Sequence, residues 1–469
     1  MTTLGLIVGT RASFPTDVVL EDRRKLIALL EELGFGVCVP EEAFTPFGAV
    51  GSLADAEKWA AFFRGHSEEI DGFLISLPNF GDETAVTETV RRSALRVPIL
   101  IHGAADDLDR LMAHQRRGSF CGKISVCNNL YQSGIPFTLT GKHVCRVEDP
   151  SLREDLLRFE KVCAVVKKLS HATVGALGCR PAGFNTLRYS EKILLQNGIF
   201  TITEDFSEIL ECARRVEDAD RIRRHKEKIL AYAEPHVAMK EESLEKIARL
   251  DIVLDDWVRD HGVDATAMMC WSTVEHYFGC APCTTMALQL DRGIPSGCEM
   301  DVLSALTSLA MLQAGGDAPP MVHDWFASYE DDPDACICIH CSNFSKEVFT
   351  EKPSIGTQGG QARLYGDDCC YGCLKGRIRP GEVTVCKITT DDRQGVMKAY
   401  IAEGEILERE VKTYSPYIVL HVDGLKDLMD HLCKNGFEHH FCVMHGRVGD
   451  VLEEAFKTYL GYQVYRHRA

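Results

Sequence analysis

The chain has 469 residues, 45% of them hydrophobic and 26% charged, which is enough for a sizeable buried core and a starting expectation of roughly three domains. Acidic residues outnumber basic ones by 69 to 52, and the formal net charge of −17 disfavours a nucleic-acid or anionic-membrane partner. Met1–Gly9 (MTTLGLIVG) lacks the basic start and long apolar core of a signal peptide. The apolar run around Val302–Leu312 is too short to span a bilayer, so a cytoplasmic protein with no membrane partner is expected.

The first hundred residues alternate strand and helix signals. Leu4–Val8 is a short apolar run. Glu21–Leu33 has helical periodicity and stops before Gly34, a suitable C-cap. Phe35–Val39, Phe73–Leu77 and Val97–His102 predict strands, and Asp55–Phe63 and Glu83–Ala94 predict helices. This βαβ rhythm implies a parallel sheet covered on both faces, with its ligand edge at the loops after the strands. A second unit of the same kind follows, with strands at Ala172–Leu177, Phe200–Thr203 and Asp264–Cys270. Its helices fall at Arg188–Asn197, Glu241–His261 and Asp301–Leu312. The charged stretch Glu211–Lys240 predicts a solvated helical connection. In the last third the period changes to two. Val383–Thr389 (VTVCKIT) and Met397–Ala402 alternate as strands do, and Pro380-Gly381 and Asp391-Asp392 mark turns, a pattern expected of a small antiparallel barrel. Phe441–His445, a helix at Asp450–Leu460 and a short strand close the chain. The predicted architecture is α/β, with two Rossmann-like domains at 1–155 and 156–325 and a barrel-containing domain at 326–469.

Twenty cysteines without a secretory leader point to reduced thiols. Cys280-x-x-Cys283 and Cys369-Cys370-x-x-Cys373 have the spacing of paired zinc ligands, but buried core thiols fit the same pattern. Cys336 and Cys338 alternate with apolar neighbours as buried strand residues would.

Four segments carry candidate chemistry. Glu299, in PSGCEMD, stands where a loop enters a helix, a place that suits either a ligand or an ordinary first-turn carboxylate. Asp324, in PPMVHDWFASY, lies in apolar surroundings, where an ionised carboxylate needs a cation or several backbone donors, though a turn aspartate fits as well. His340 ends the run ACICIHCSN. EHHFCVMHG offers His439 and His440, which on a strand point to opposite faces. Imidazole with carboxylate oxygens suits Mn²⁺, Mg²⁺ or Co²⁺. Competing signatures are absent: Gly9-Thr10-Arg11 stands where a GxGxxG would follow the first strand, and there is no GxxxxGK[ST], GxSxG or HExxH. Arg11 instead places a guanidinium at the ligand edge.

These segments, in order with GLIVGTRASFP, IDGFLISLPNFGDE (Ile70–Glu83), RRGSFCGKISVCNNL (Arg116–Leu130), RPAGFNTLRYSEK (Arg180–Lys192) and ATAMMCWSTVE (Ala265–Glu275), resemble the L-fucose isomerase and L-arabinose isomerase superfamily, on its fucose isomerase-like side. RIRPGEVTVCKIT completes a likeness that spans essentially the whole chain. The resemblance implies a metal-dependent aldose–ketose isomerase that works through a cis-enediol and forms a homo-oligomer, a hexamer by family habit. It implies a divalent metal, usually Mn²⁺, on Glu299, Asp324 and His440, with Glu299 and Asp324 also moving protons. Arg11, Asn79, Trp271, His340 and Asn343 match positions that contact substrate, and His340 is a possible further ligand. The sequence departs from the family at Phe326-Ala327-Ser328 and at Met269 before Cys270-Trp271, near the sugar pocket. Candidate substrates are therefore L-fucose or D-arabinose, L-arabinose, and a sulfonated hexose such as sulfoquinovose. A sulfonate needs cations, and Arg11, Arg116, Arg117, Lys123, Arg180 and Arg188 are those the motifs supply. The alternatives from other classes are a sugar-binding protein that keeps the fold without the chemistry, and a zinc or iron–sulfur protein built on the cysteines.

Overall fold

The computed structural model describes residues 1–330 and 332–468, and these divide into two compact units. The first comprises Met1–Lys167 with Lys457–Leu460; the second comprises Lys168–Phe456 with the chain from Gly461 onward.

In the first unit five parallel strands form one sheet, in the order Gly36–Cys38, Thr3–Val8, Gly72–Leu77, Ile99–Gly103 and Thr138–Leu139. Their burial on both faces explains the continuous apolar runs in the sequence. The strand order reverses direction between Thr3–Val8 and Gly72–Leu77, the switch point at which open sheets of this kind receive ligands. Four helices connect these strands, the last of them Ser119–Gln132, and a fifth, Pro150–Leu169, follows the sheet; the apolar pattern alone revealed neither of these two. The other predicted elements of this unit match the structure within a residue or two, except that the helix expected at Glu21–Leu33 begins four residues earlier, at Asp17.

The second unit contains a four-stranded parallel sheet in the order Ser296–Cys298, Ala265–Met268, Thr173–Leu177 and Phe200–Glu204. It also holds a mixed seven-stranded sheet in the order Gly381–Asp391, His440–His445, Met321–Tyr329, Asp332–Ile339, Tyr417–His421, Val396–Leu407 and Gln463–Arg466. All neighbours in this second sheet are antiparallel except the last pair, and Gly381–Asp391 pairs with Val396–Leu407 as well. The helix Val302–Ala314 packs against strands of both sheets. Its sequence, VLSALTSLAMLQA, is apolar on every side, as a helix enclosed on all sides must be.

The segment read as a solvated connection is more than that. It forms helices Phe206–Arg214 and Ala219–Tyr232, whose Ile209, Leu210, Ile222, Ile229 and Tyr232 join the core beneath Glu241–His261. Charge on the outward face masked an apolar stripe at helical spacing. Among the described residues no helix is long and apolar enough to cross a membrane.

Candidate metal centre and active site

Asp324 and His440 are directly opposite each other on antiparallel strands, so their side chains share one face of the sheet. The Oδ1 of Asp324 lies 3.2 Å from the Nε2 of His440. On its other side Asp324 pairs with Ile339, and His340 follows, its ring 5.1 Å from that of His440 and nearly perpendicular to it. Glu299 arrives from the other sheet: it leaves the C-terminal end of Ser296–Cys298 and sets its Oε2 3.5 Å from the Nε2 of His440.

The backbone there is unusual. Glu299 and Met300 have φ of 59° and 67°, left-handed conformations that cost a non-glycine residue on the order of 1–2 kcal/mol each. Met300 N–H donates to Met268 O at 3.0 Å, and Asp301 then caps the helix by accepting from Ser304 N at 2.8 Å. Glu299 is therefore not a first-turn residue of that helix. It stands in the sharp turn ahead of the cap.

Four buried atoms converge without a hydrogen-bond partner among the described residues: Glu299 Oε2, Asp324 Oδ1, His340 Nδ1 and His440 Nε2. Such atoms are costly to bury unless something else satisfies them. Glu299, His340 and His440 form one group with ligand atoms within 4.8 Å of one another; Asp324, His439 and His440 form a second. Two carboxylates with imidazoles fit a divalent cation of the Mn²⁺, Mg²⁺ or Co²⁺ type.

His439 departs from the sequence reading. The strand begins only at His440, so His439 does not turn to the far face; its Nε2 lies 3.7 Å from Asp324 Oδ1. Its ring meets Phe184 edge-on at 5.6 Å, and Phe184 packs on Trp271 at 5.1 Å. Trp271, half-buried with its indole N–H unpartnered, thus belongs to an aromatic wall beside the candidate ligands. Asn343 is buried and donates to Ser296 O at 2.7 Å, supporting the strand that leads to Glu299, while its Oδ1 has no partner.

Sequence reasoning missed the support behind His440. Asp301 Oδ2 accepts from His440 Nδ1 at 3.0 Å, which leaves Nε2 facing Glu299 and Asp324. The fully buried Lys387 donates to the same Oδ2 and to Ser304 Oγ, each at 2.8 Å. Burial alone would raise the Asp301 carboxyl, but Lys387 and His440 hold it far below the usual range. Burial likewise opposes, and His440, His340 and His439 outweigh, so that Asp324 is held down to about 2. His440 is pushed well up: burial works against its charge, but Asp301, Asp324 and Glu299 prevail. His340 goes the other way, lowered chiefly by burial. Asp301 shared a motif with Glu299 and was visible only as a helix start. Lys387 fell on the polar phase of an alternating strand, which normally faces water.

Arg11 and Asn79 lie in the first unit, at its switch point. Asn79 is fully buried, and its amide is fully used: it accepts from Arg11 N and Gly81 N and donates to Thr10 Oγ1 and Pro15 O. The Arg11 guanidinium pairs with Glu83 and lies 4.6 Å from the Phe80 ring.

All twenty cysteines are free. Cys283 and Cys373 approach to 3.4 Å and Cys270 and Cys298 to 3.0 Å, but among the described residues no cysteines join a metal-holding group. Burial pushes the Cys280 thiol up, away from the thiolate a zinc site requires.

Residues 5–170 match the family described as fucose/sulfoquinovose isomerase, N-terminal domain, and residues 338–468 match L-fucose isomerase, C-terminal domain. Over 456 residues the chain is 23% identical to the sulfoquinovose isomerases of Priestia aryabhattai and Priestia megaterium, covering 95% of this chain and 94% of each relative. The sulfoquinovose isomerase of a Clostridium species is 25% identical over 312 residues, 65% of this chain and 67% of its own. A periplasmic solute-binding protein from Actinobacillus succinogenes with bound D-allose covers 66% of the chain at 10% identity with a TM-score of 0.17, too slight a likeness to bear on the fold.

Proposed function

The chain belongs to the fucose isomerase-like family and is an aldose–ketose sugar isomerase, and from that premise we propose that it converts sulfoquinovose to its ketose with Mn²⁺ held by Glu299, Asp324 and His440. The observation that carries the site is the convergence of unpartnered, buried donor atoms from two carboxylates and two histidines. His340 is the fourth candidate ligand. Relatives named for sulfoquinovose, aligned over nearly the full length of both chains, support the sugar.

When bound, the cation would polarise the oxygens on C1 and C2 and stabilise the negative charge that develops between them. The side chains do the rest. Glu299 and Asp324 reach the cluster from different sheets, so each is free to serve a different part of the sugar. One takes the carbon-bound proton and returns it to the neighbouring carbon; the other carries the hydroxyl proton. Asp301 and Lys387 fix the tautomer of His440. The Trp271–Phe184 wall presents an apolar surface to the carbon chain and limits water. Trp271, His340 and Asn343 are assigned to substrate contact, and Arg11 keeps that assignment from its motif, whereas the Asn79 amide, fully used within the first unit, holds the Arg11 loop in place.

The double pairing of Gly381–Asp391 supports a small barrel within the mixed sheet, in a three-domain arrangement of 1–155, 156–325 and 326–469. Phe120, Ile124 and Tyr131, exposed on one face of Ser119–Gln132, support a homo-oligomer, a hexamer by family habit.

The test is a panel of sulfoquinovose, L-fucose, D-arabinose and L-arabinose, with metal-stripped protein and added Mn²⁺, read by ketose formation. The expected result is Mn²⁺-dependent turnover with the highest kcat/KM for sulfoquinovose. Preference for a neutral sugar overturns the substrate, and full turnover without any divalent cation overturns the metal centre.

A further inference from the structure

Three loops leave the C-terminal ends of adjacent parallel strands in the second unit. Glu299 follows Ser296–Cys298, Trp271 follows Ala265–Met268, and residues 178–190 follow Thr173–Leu177. The strand order fixes their sequence in space: metal-binding carboxylate, aromatic wall, then the 178–190 loop. Strand neighbours are about 4.8 Å apart. Two spacings are about 10 Å, the reach of an open-chain hexose with a charged group at its far end.

The 178–190 loop is anchored toward the metal side by Phe184, which touches both Trp271 and His439. Its next residue, Asn185, organises two arginines. Arg180 Nη2 donates to Asn185 Oδ1 at 3.1 Å, and Arg188 Nε donates to Asn185 O at 2.8 Å. Neither guanidinium has a carboxylate partner among the described residues. That is notable in a chain with a formal charge of −17, where most arginines find acids. The other cations in the family motifs are spoken for or lie elsewhere. Arg117 pairs with Asp22 at 2.5 Å, Arg11 pairs with Glu83, Arg116 lies over the Phe14 ring, and Lys123 is buried against Thr140 and His143 O. Arg188 and Asn185 also line a groove of about 790 Å³, so space adjoins the Arg188 guanidinium.

We propose that Arg180 and Arg188 form the subsite for the anionic terminus of the substrate, a sulfonate on the carbon farthest from the metal. The assignment rests on the sulfoquinovose reading above. Two guanidiniums with unused N–H groups match the three acceptor oxygens of a sulfonate, and charge-assisted bonds of this kind are the strong ones. Asn185 holds both arginines without cancelling their charge.

The experiment uses Mn²⁺-loaded full-length protein and compares R180Q, R188Q, the double variant and R188K, with sulfoquinovose and a neutral aldose that the parent turns over. Each single glutamine variant is expected to raise KM for sulfoquinovose by about tenfold, with kcat within threefold and neutral-sugar kinetics unchanged. R188K should recover part of the loss, and added salt should raise the parent's KM for the sulfonate alone. Mn²⁺ binding by each variant reports that the fold is intact. A double variant that handles sulfoquinovose like the parent overturns the subsite and leaves the substrate reading standing. Equal losses on both sugars overturn it too, since the loop would then act only as structure. A parent that isomerises the neutral sugar but neither binds nor turns over sulfoquinovose overturns the subsite together with the substrate reading.

Discussion

A carboxylate proposed both to hold a cation and to pass a proton needs a fixed position, and Glu299 has one, set by a costly backbone. Two successive left-handed residues turn the chain so that the side chain leaves the sheet edge before Asp301 starts the helix. Strain of this sort persists where surrounding structure over-determines it. Replacing Glu299 with Gln keeps the shape and removes the charge. The expected result is a kcat lower by about 10²–10⁴ with Mn²⁺ affinity also weakened, measured by ketose formation and by titration calorimetry. A variant within threefold of the parent in turnover would show that the proton travels elsewhere. Asp324, held low by its histidines, is ionised throughout the working range, so Asp324→Asn should lose metal affinity at every pH tested.

At the scale of elements, the Lys387–Asp301 pair ties a central strand to the N-terminus of the buried helix Val302–Ala314. Both side chains are almost wholly enclosed, so the pair is weak evidence for stability as it stands but expensive to break. Lys387→Met leaves the Asp301 charge without its main partner and should cost about 3–5 kcal/mol in urea unfolding. Adding Asp301→Asn removes the stranded charge, so the double variant should be more stable than the single one. Additive losses would deny the coupling.

The same pair shows where sequence is legible and where it is not. Parallel strands such as Gly72–Leu77 announce themselves because burial on both faces leaves the run apolar but for Ser76, which is hydrogen-bonded to His102. The candidate ligands Glu299, Asp324, His340 and His440 carried chemistry in unusual surroundings, and the structure gathers Glu299 and His340 on one side of His440 and sets Asp324 beside His440 with His439. Lys387 was invisible because an alternating strand predicts a solvated face, and only the helix lying over that face shows otherwise. Strand periodicity extended one residue too far sends His439 to the far face, whereas the strand begins at His440 and His439 stays beside Asp324. Helix Ser119–Gln132 escaped because its apolar residues lie on two faces, one of them exposed. Its Gly122 is a further constraint that pattern cannot reveal: a Cβ there would sit 1.8 Å from Phe80 O. Gly122→Ala should therefore destabilise the first unit by about 1–3 kcal/mol and disturb the loop that holds Asn79 and Arg11, lowering Tm together with sugar affinity.

At the scale of the whole molecule, the cluster around His440 couples proton binding to stability. In the metal-free protein His440 carries the proton that balances Asp301, Asp324 and Glu299, with its value raised well above the usual one. A raised folded value means that its contribution is fully present below the unfolded value of about 6.5 and is lost as pH rises through the folded value. Asp324 has the opposite sign: its contribution is present above the ordinary carboxylate range and disappears only as pH falls toward about 2. Near neutrality, then, the changing quantity is the proton on His440, and a cation at Nε2 must displace it. Mn²⁺ affinity should rise with pH between about 6 and about 8, by up to about tenfold per unit while one proton is released. The gain in Tm on adding saturating Mn²⁺ should widen over the same interval. Calorimetric titration in buffers of different ionisation enthalpy counts the protons released. A count of zero, with an affinity that does not change with pH, would mean that His440 is not a ligand.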